Sequence, residues 1–100
     1  MRLSSRQREV INEVLRRHFG EQTRVLLFGS RVDDSKRGGD IDLYVEPQIQ
    51  SPAVLIDAKF AALVELKQKL GDQKIDLVIH RPETPLLPVH QVALREGVVL

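Results

Sequence analysis

The sequence predicts a small α/β (α+β) fold, in which one small mixed β-sheet is flanked by helices. Segments with helical spacing of apolar residues alternate along the chain with short runs rich in Val, Ile and Leu. The chain has 100 residues, of which 42% are hydrophobic and 29% charged. A chain of this length and composition suits one domain with one core, and we expect a single domain over residues 1–100.

The helix and strand boundaries follow from local signals. Ser4 to about Phe19 has helical periodicity, with a capping box formed by Ser4 and Gln7 and a stop at Gly20. Arg24–Phe28 is a short apolar run typical of a central strand. The polar run 32–39 predicts a loop, with one helical turn after Ser30. The next strand, residues 40–46, alternates between apolar and polar side chains.

A second helix is predicted from Ser51, as the capping residue, and Pro52 to about Leu70, ending at Gly71. Its expected buried residues are Val54, Leu55, Ala58, Ala61, Ala62, Leu66 and Leu70. The run 74–80 predicts a third strand. A short helix over 88–96, capped by Gly97, and a last strand over 98–100 complete the expected fold. Leu86, Leu87 and Val89 are expected to pack on the chain's own sheet, with a partner surface as the alternative.

Composition narrows the classes of function. Fifteen Lys and Arg against 14 Asp and Glu leave a net charge of +1, whereas a protein that follows a nucleic-acid backbone usually has a basic excess. The absence of Cys excludes disulfides and thiolate metal sites. The sequence shows neither a signal peptide nor an apolar run near the roughly 20 residues of a membrane span. We therefore expect a cytoplasmic protein with no membrane association and no strong nucleic-acid binding.

Carboxylates in the predicted strands are the strongest indication of chemistry. Asp40 and Asp42 are two residues apart, so their side chains are expected on one face of a strand. Asp76 interrupts the apolar run of the third strand, and it would join them if the two strands are neighbours. Carboxylates grouped in this way suit Mg²⁺, which binds a few of them together with phosphates and waters.

Gly29 and Ser30 follow a buried strand and precede the Asp pair by a fixed, short loop. Glycine permits a close backbone approach, and free N–H groups with the Ser30 hydroxyl suit a phosphate. Arg31 is expected to help neutralise a triphosphate, whereas Lys36 and Arg37 are expected to be solvated loop charges. An ordinary strand-to-helix turn is the alternative for Gly29-Ser30.

Three other residue groups are expected to be structural. Tyr44 shares the face of the Asp pair, and we expect it to pack in the core rather than stack on a base. Glu46 is expected on the surface at a strand end. The three histidines, His18, His80 and His90, fit no metal-ligand spacing.

The combination of Gly29-Ser30, a nine-residue spacer, Asp40-x-Asp42 and a later strand Asp76 resembles the DNA polymerase β-type nucleotidyltransferase superfamily. The small size resembles its minimal nucleotidyltransferase branch, the antitoxin half of HEPN toxin–antitoxin pairs. The resemblance covers nearly the whole chain. The sequence departs from the family at Gly39, where Ser or Thr is frequent, and after Arg31, where the family often has another Arg.

The resemblance implies transfer of AMP from ATP to a hydroxyl, by analogy a tyrosine of a separately encoded HEPN toxin (AMPylation), within a hetero-oligomer. Asp40, Asp42 and Asp76 would bind two Mg²⁺ ions, and Asp76 would also orient or deprotonate the acceptor. Gly29, Ser30 and Arg31 would hold the nucleotide. Two alternatives stay open: a nucleotidyltransferase-like antitoxin that acts only by binding, and a two-metal phosphatase or nuclease.

Overall fold

The computed structural model describes residues 3–32, 39–71 and 73–100. In these residues, four strands form one mixed sheet and three α-helices flank it. The elements are α1 (Ser5–Phe19), β1 (Arg24–Phe28), β2 (Ile41–Glu46), α2 (Pro52–Leu70), β3 (Ile75–Ile79), α3 (Pro88–Glu96) and β4 (Val98–Val99). A 3₁₀ turn, Gly29–Arg31, follows β1. The predicted fold class is confirmed.

The sheet has the strand order β3-β2-β1-β4, so β3 forms one edge. Strand β1 pairs antiparallel with β2 and β4, and β2 pairs parallel with β3. Side chains from α1 and α2 share one core cluster with the odd-numbered residues of the three longer strands. A smaller cluster on the opposite face joins α3 to Leu26, Phe28 and Tyr44.

Helix α1 begins and ends as predicted. The Gln7 N–H donates to Ser4 Oγ at 3.1 Å, and the Ser4 N–H donates to Gln7 Oε1 at 2.9 Å, which completes the capping box. At the other end, Gly20 has φ of +111° and its N–H donates to the Arg16 carbonyl at 2.9 Å. The capping signals therefore determined both ends of this helix.

Helix α2 has the predicted length but a narrower buried face. Leu55, Ala58, Ala62 and Leu66 are buried as expected, and Leu70 is half-buried. Val54 and Ala61 are exposed, so these two predictions were wrong. Each lies one residue before a buried position. One residue corresponds to a rotation of about 100° around the helix axis, so these two side chains point away from the buried face. Ser51 occupies the capping position, but in the described residues its side chain makes no capping hydrogen bond.

The C-terminal segment contains the predicted helix α3 and strand β4. Leu86, Leu87 and Val89 were expected to pack on the sheet, but they are 45%, 56% and 41% exposed, so that prediction was wrong. Helix α3 instead buries His90 and Ala93. A nine-residue helix presents only one such stripe, and Val89 lies outside it. None of the helices in the described ranges is long and apolar enough to span a membrane.

Candidate functional site

The turn after β1 brings the backbone of Gly29 against a carboxylate of β2. Gly29 has φ of +79°, a conformation that residues with a Cβ rarely adopt. A Cβ built on Gly29 would overlap with Asp42 Oδ2. Both the backbone conformation and the lack of a side chain are therefore required for this turn to lie beside Asp42.

Asp42 and Asp76 occupy matching positions on neighbouring strands. Asp42 pairs with Phe28 of β1 on one side and with Asp76 of β3 on the other. The parallel pairing of β2 with β3 thus brings together the two strand carboxylates, as the sequence predicts for neighbouring strands. The negative charge of Asp76 acts directly on Asp42. We call Gly29, Asp42 and Asp76 the carboxylate row.

The pKa of Asp42 is raised above its ordinary value, first by burial and then by the negative charges of Asp76 and Asp40. The cation of Lys74 opposes this shift more weakly. Burial and the neighbouring carboxylates thus disfavour the charged form of Asp42. A divalent cation at this position would favour the charged carboxylate instead.

Asp40 lies beside this row but not within the paired strand. Strand β2 begins at Ile41, so the predicted strand was one residue too long. Asp40 is half-buried, and its Oδ2 lies 3.9 Å from Lys74 Nζ. Its charge still acts on Asp42.

Arg31 forms hydrogen bonds with the two segments that precede β2 and β3. Its Nη2 donates to the Gly39 carbonyl at 2.9 Å and to Gln73 Oε1 at 2.8 Å. It therefore links the turn after β1 to the residues that lead into β2 and β3. Ser30, in the middle of the turn, is half-buried. The expectation that Ser30 and Arg31 contact a triphosphate stays a prediction.

A metal at this site would take few ligands from the protein. Within residues 3–32, 39–71 and 73–100, no three His, Cys, Asp or Glu side chains are grouped closely enough to enclose a metal ion. Asp42 and Asp76 nevertheless occupy paired positions, and the pKa of Asp42 is raised first by burial and then by the negative charges of Asp76 and Asp40. This donor set fits Mg²⁺ that obtains its remaining ligands from phosphate oxygens and waters. The number of ions stays a prediction.

Two residues near the site were missed by sequence reasoning. Gln73 accepts from Arg31, and Lys74 lies near Asp40. The signal that could have found them is the parallel pairing itself, because it places the residues that precede β3 beside those that precede β2. Lys36 and Arg37, predicted as loop charges, lie outside the described residues.

Tyr44 is buried, as predicted, and belongs to a polar network under α3. Its hydroxyl lies 2.6 Å from Glu46 Oε2 and 3.0 Å from His80 Nδ1. Burial, followed by Glu46, raises the pKa of Tyr44. His80 and His90 are also buried, with ring centroids 4.7 Å apart. Within the described chain, this network lies under the neighbouring helix and not in the carboxylate row.

No family model matches the chain, and no curated protein matches it with significant similarity.

Proposed function

We propose that the chain is a Mg²⁺-dependent nucleotidyltransferase that transfers AMP from ATP to a hydroxyl of a partner protein. The observation that carries this proposal is the carboxylate row, in which Gly29 at positive φ lies against Asp42, and Asp42 is paired with Asp76. A glycine turn beside paired carboxylates gives a phosphate chain access to the site without interference from a side chain. The order of these residues along the chain resembles the motif of the nucleotidyltransferase superfamily.

The carboxylate row and its neighbours Asp40 and Ser30 have separate roles in the proposed reaction. Asp40, Asp42 and Asp76 would hold magnesium, and the turn at Gly29 and Ser30 would bind the phosphates of ATP. Asp76 orients the acceptor hydroxyl and accepts its proton. Magnesium, when bound, would neutralise the carboxylates and the developing charge on the phosphates.

In the transfer step, the acceptor oxygen forms a bond to the α-phosphorus of ATP. The bond between that phosphorus and the oxygen bridging to the β-phosphate breaks, and pyrophosphate leaves with the electron pair. The proton of the hydroxyl goes to Asp76, which is exposed and can pass it to solvent. The sum is ATP and an alcohol converted to an adenylyl ester and pyrophosphate.

A binding module without catalysis is the second candidate function. The observation that favours it is an exposed apolar surface on α2, where Ile56, Phe60 and Val64 are 59%, 66% and 57% exposed. Exposed apolar residues spaced in this way on a helix mark interaction surfaces. In that case the chain would neutralise a HEPN toxin by occlusion, and the carboxylates would not be needed.

The experiment that tests the proposal measures the intact mass of a co-expressed HEPN-domain partner after incubation with ATP and Mg²⁺. The wild type should add one or more adenylyl groups, and Asp42→Asn should add none. Asp57→Asn, which removes an exposed carboxylate of α2 with the same change of charge, is the matched control and should transfer normally. Transfer by Asp42→Asn at the wild-type rate would refute the proposal. Neutralisation without any mass gain would favour the binding module.

A further inference from the structure

A groove runs between helix α2 and the edge strand β3. At one end it is a hollow of about 530 Å³ lined by Ile56, Phe60 and Leu63 on the helix and by Asp76 on the strand. It continues into a second hollow of about 280 Å³, which shares Ile56 with the first. The groove therefore follows the length of β3 and opens directly beside a residue of the carboxylate row.

The outer edge of β3 has backbone groups that another strand could pair with. The Lys74 carbonyl accepts from the Ile41 N–H, and the His80 N–H donates to the Val45 carbonyl, both at 2.9 Å. The backbone groups of the even-numbered residues of β3 therefore face β2. Those of Ile75 and Leu77 face away from the sheet, and no strand of the described chain lies beside them.

The charges along the groove are unequally distributed. Lys59 lines both hollows, and Arg81 lines the end distant from Asp76. Neither cation forms an ion pair within the described ranges. The Arg81 Nε is buried, and it has no hydrogen-bond partner in the described part of the chain. A buried donor without a partner is costly, so a ligand that brings an acceptor here would gain affinity.

We propose that this groove docks an extended segment of a partner protein, which adds to the sheet as a further strand along β3. The segment has alternating apolar side chains that contact Ile56, Phe60 and Leu63, and an Asp or Glu that binds Lys59 and Arg81. Backbone hydrogen bonds to Ile75 and Leu77 supply affinity, and the side-chain contacts supply specificity. Since the groove ends at Asp76, a hydroxyl on this segment reaches the carboxylate row; this last statement alone rests on the proposed function.

The chemistry of the groove favours a peptide over the other possible occupants. Two cations beside a largely apolar surface suit one carboxylate, whereas a nucleic acid requires a continuous basic stripe. A second copy that paired through its own β3 would bring one carboxylate of that strand, Asp76, which already lies beside Asp42 in the carboxylate row. An acidic, apolar segment of another protein satisfies both the cations and the free strand edge.

The test selects phage-displayed random heptapeptides on the immobilised protein without ATP or Mg²⁺, and then measures the binding of a labelled consensus peptide by fluorescence anisotropy. The selection should enrich alternating apolar residues with one Asp or Glu. Phe60→Ser and Lys59→Ala should each weaken binding by about tenfold or more. Val64→Ser changes an equally exposed residue of α2 that does not line the groove, and it should bind like the wild type. Circular dichroism verifies that each variant is folded.

Several outcomes would overturn the inference: no consensus, a basic consensus, or equal binding to Phe60→Ser. Self-association that Phe60→Ser abolishes would assign the groove to a second copy. Binding of oligothymidylate that Lys59→Ala abolishes would assign it to nucleic acid. Asp42→Asn should bind the peptide like the wild type. The docking site can therefore be confirmed even if no adenylyl transfer is detected. Transfer that continues at the wild-type rate in Phe60→Ser, although this variant no longer binds the peptide, would overturn only the statement that the docked segment presents the acceptor hydroxyl.

Discussion

Replacement of Gly29 by Ala tests whether the turn after β1 lies against the Asp42 carboxylate. The substitution has two effects on the folded state. It places a Cβ on a residue whose φ is +79°, and it drives that Cβ into the space of Asp42 Oδ2. Gly71→Ala is the matched control, since Gly71 has φ of +87° but a Cβ there would meet no atom of the described residues within 4 Å.

The expected losses can be estimated from these two effects. Backbone strain at positive φ costs about 1–3 kcal/mol at either position. Overpacking against Asp42 adds about 1–3 kcal/mol at Gly29 alone. We therefore expect Gly29→Ala to lower the free energy of unfolding by about 2–6 kcal/mol, and Gly71→Ala by about 1–3 kcal/mol.

The assay is urea unfolding of the metal-free protein, arranged as a double-mutant cycle with Asp42→Ala. Removing the carboxylate leaves room for the new Cβ, so the cost of Gly29→Ala should shrink by about 1 kcal/mol or more in that background. The costs of Gly71→Ala and Asp42→Ala should add to within about 0.5 kcal/mol. The Asp42→Ala background also gives a folded form of Gly29→Ala if the single variant is too unstable.

Additive costs for Gly29→Ala and Asp42→Ala would refute the reasoning. Such a result would mean that the turn and the carboxylate do not touch, and that the carboxylate row is not formed. The same cycle repeated with Mg²⁺ and ATP reports whether ligand binding strengthens the coupling between the two positions.

Three further predictions concern pH, the buried network and the first helix. Because its folded pKa is raised, Asp42 contributes stability that is fully present below its unfolded pKa near 3.8 and is lost as pH rises through the folded pKa. In EDTA, the free energy of unfolding of the wild type minus that of Asp42→Asn should therefore fall as pH rises. A difference that stays constant with pH would contradict this. Tyr44→Phe, which leaves the buried His80 and the half-buried Glu46 without a hydroxyl, should cost about 1–3 kcal/mol in urea unfolding, and no loss would mean that the network is not formed. Ser4→Ala should cost about 1 kcal/mol, whereas Ser5→Ala, its exposed neighbour, should be nearly neutral; equal costs would argue against the capping box.

The boundaries of the helices and strands were predictable where local chemistry determines them. Ser4 and Gln7 satisfy N–H groups of α1 by themselves, so the start of this helix needs no tertiary information. The carboxylate row was predictable for a similar reason. Alternation places Asp42 and Asp76 on one face of their strands, and only the pairing of the two strands had to be assumed.

The exposure of α2 and of the C-terminal segment could not be predicted from the sequence. Apolar residues such as Val54 and Leu87 look identical to core residues until the position of the sheet is known. Helix α2 packs mainly against α1 and meets the sheet at its edge strand β3, so its outer flank has no sheet beneath it to cover apolar side chains. Gln73 and Lys74 were missed because nothing local marks them, and only the parallel pairing of β2 with β3 brings them to the site.

The two proposals both involve the edge strand β3, along which successive side chains point to opposite faces of the sheet. Asp76 belongs to the carboxylate row, whereas its neighbours Ile75 and Leu77 are buried toward α2 and have their backbone groups on the open edge. If both proposals hold, one strand would present a carboxylate to the reaction and a docking edge to the acceptor, about one residue apart, or roughly 3.3 Å along the strand. A docked segment would therefore be held in a fixed register relative to Asp76, because a strand can pair only in discrete steps. Such registration supplies the positioning on which phosphoryl-group transfer depends, since the protein contributes mainly orientation and charge to that chemistry.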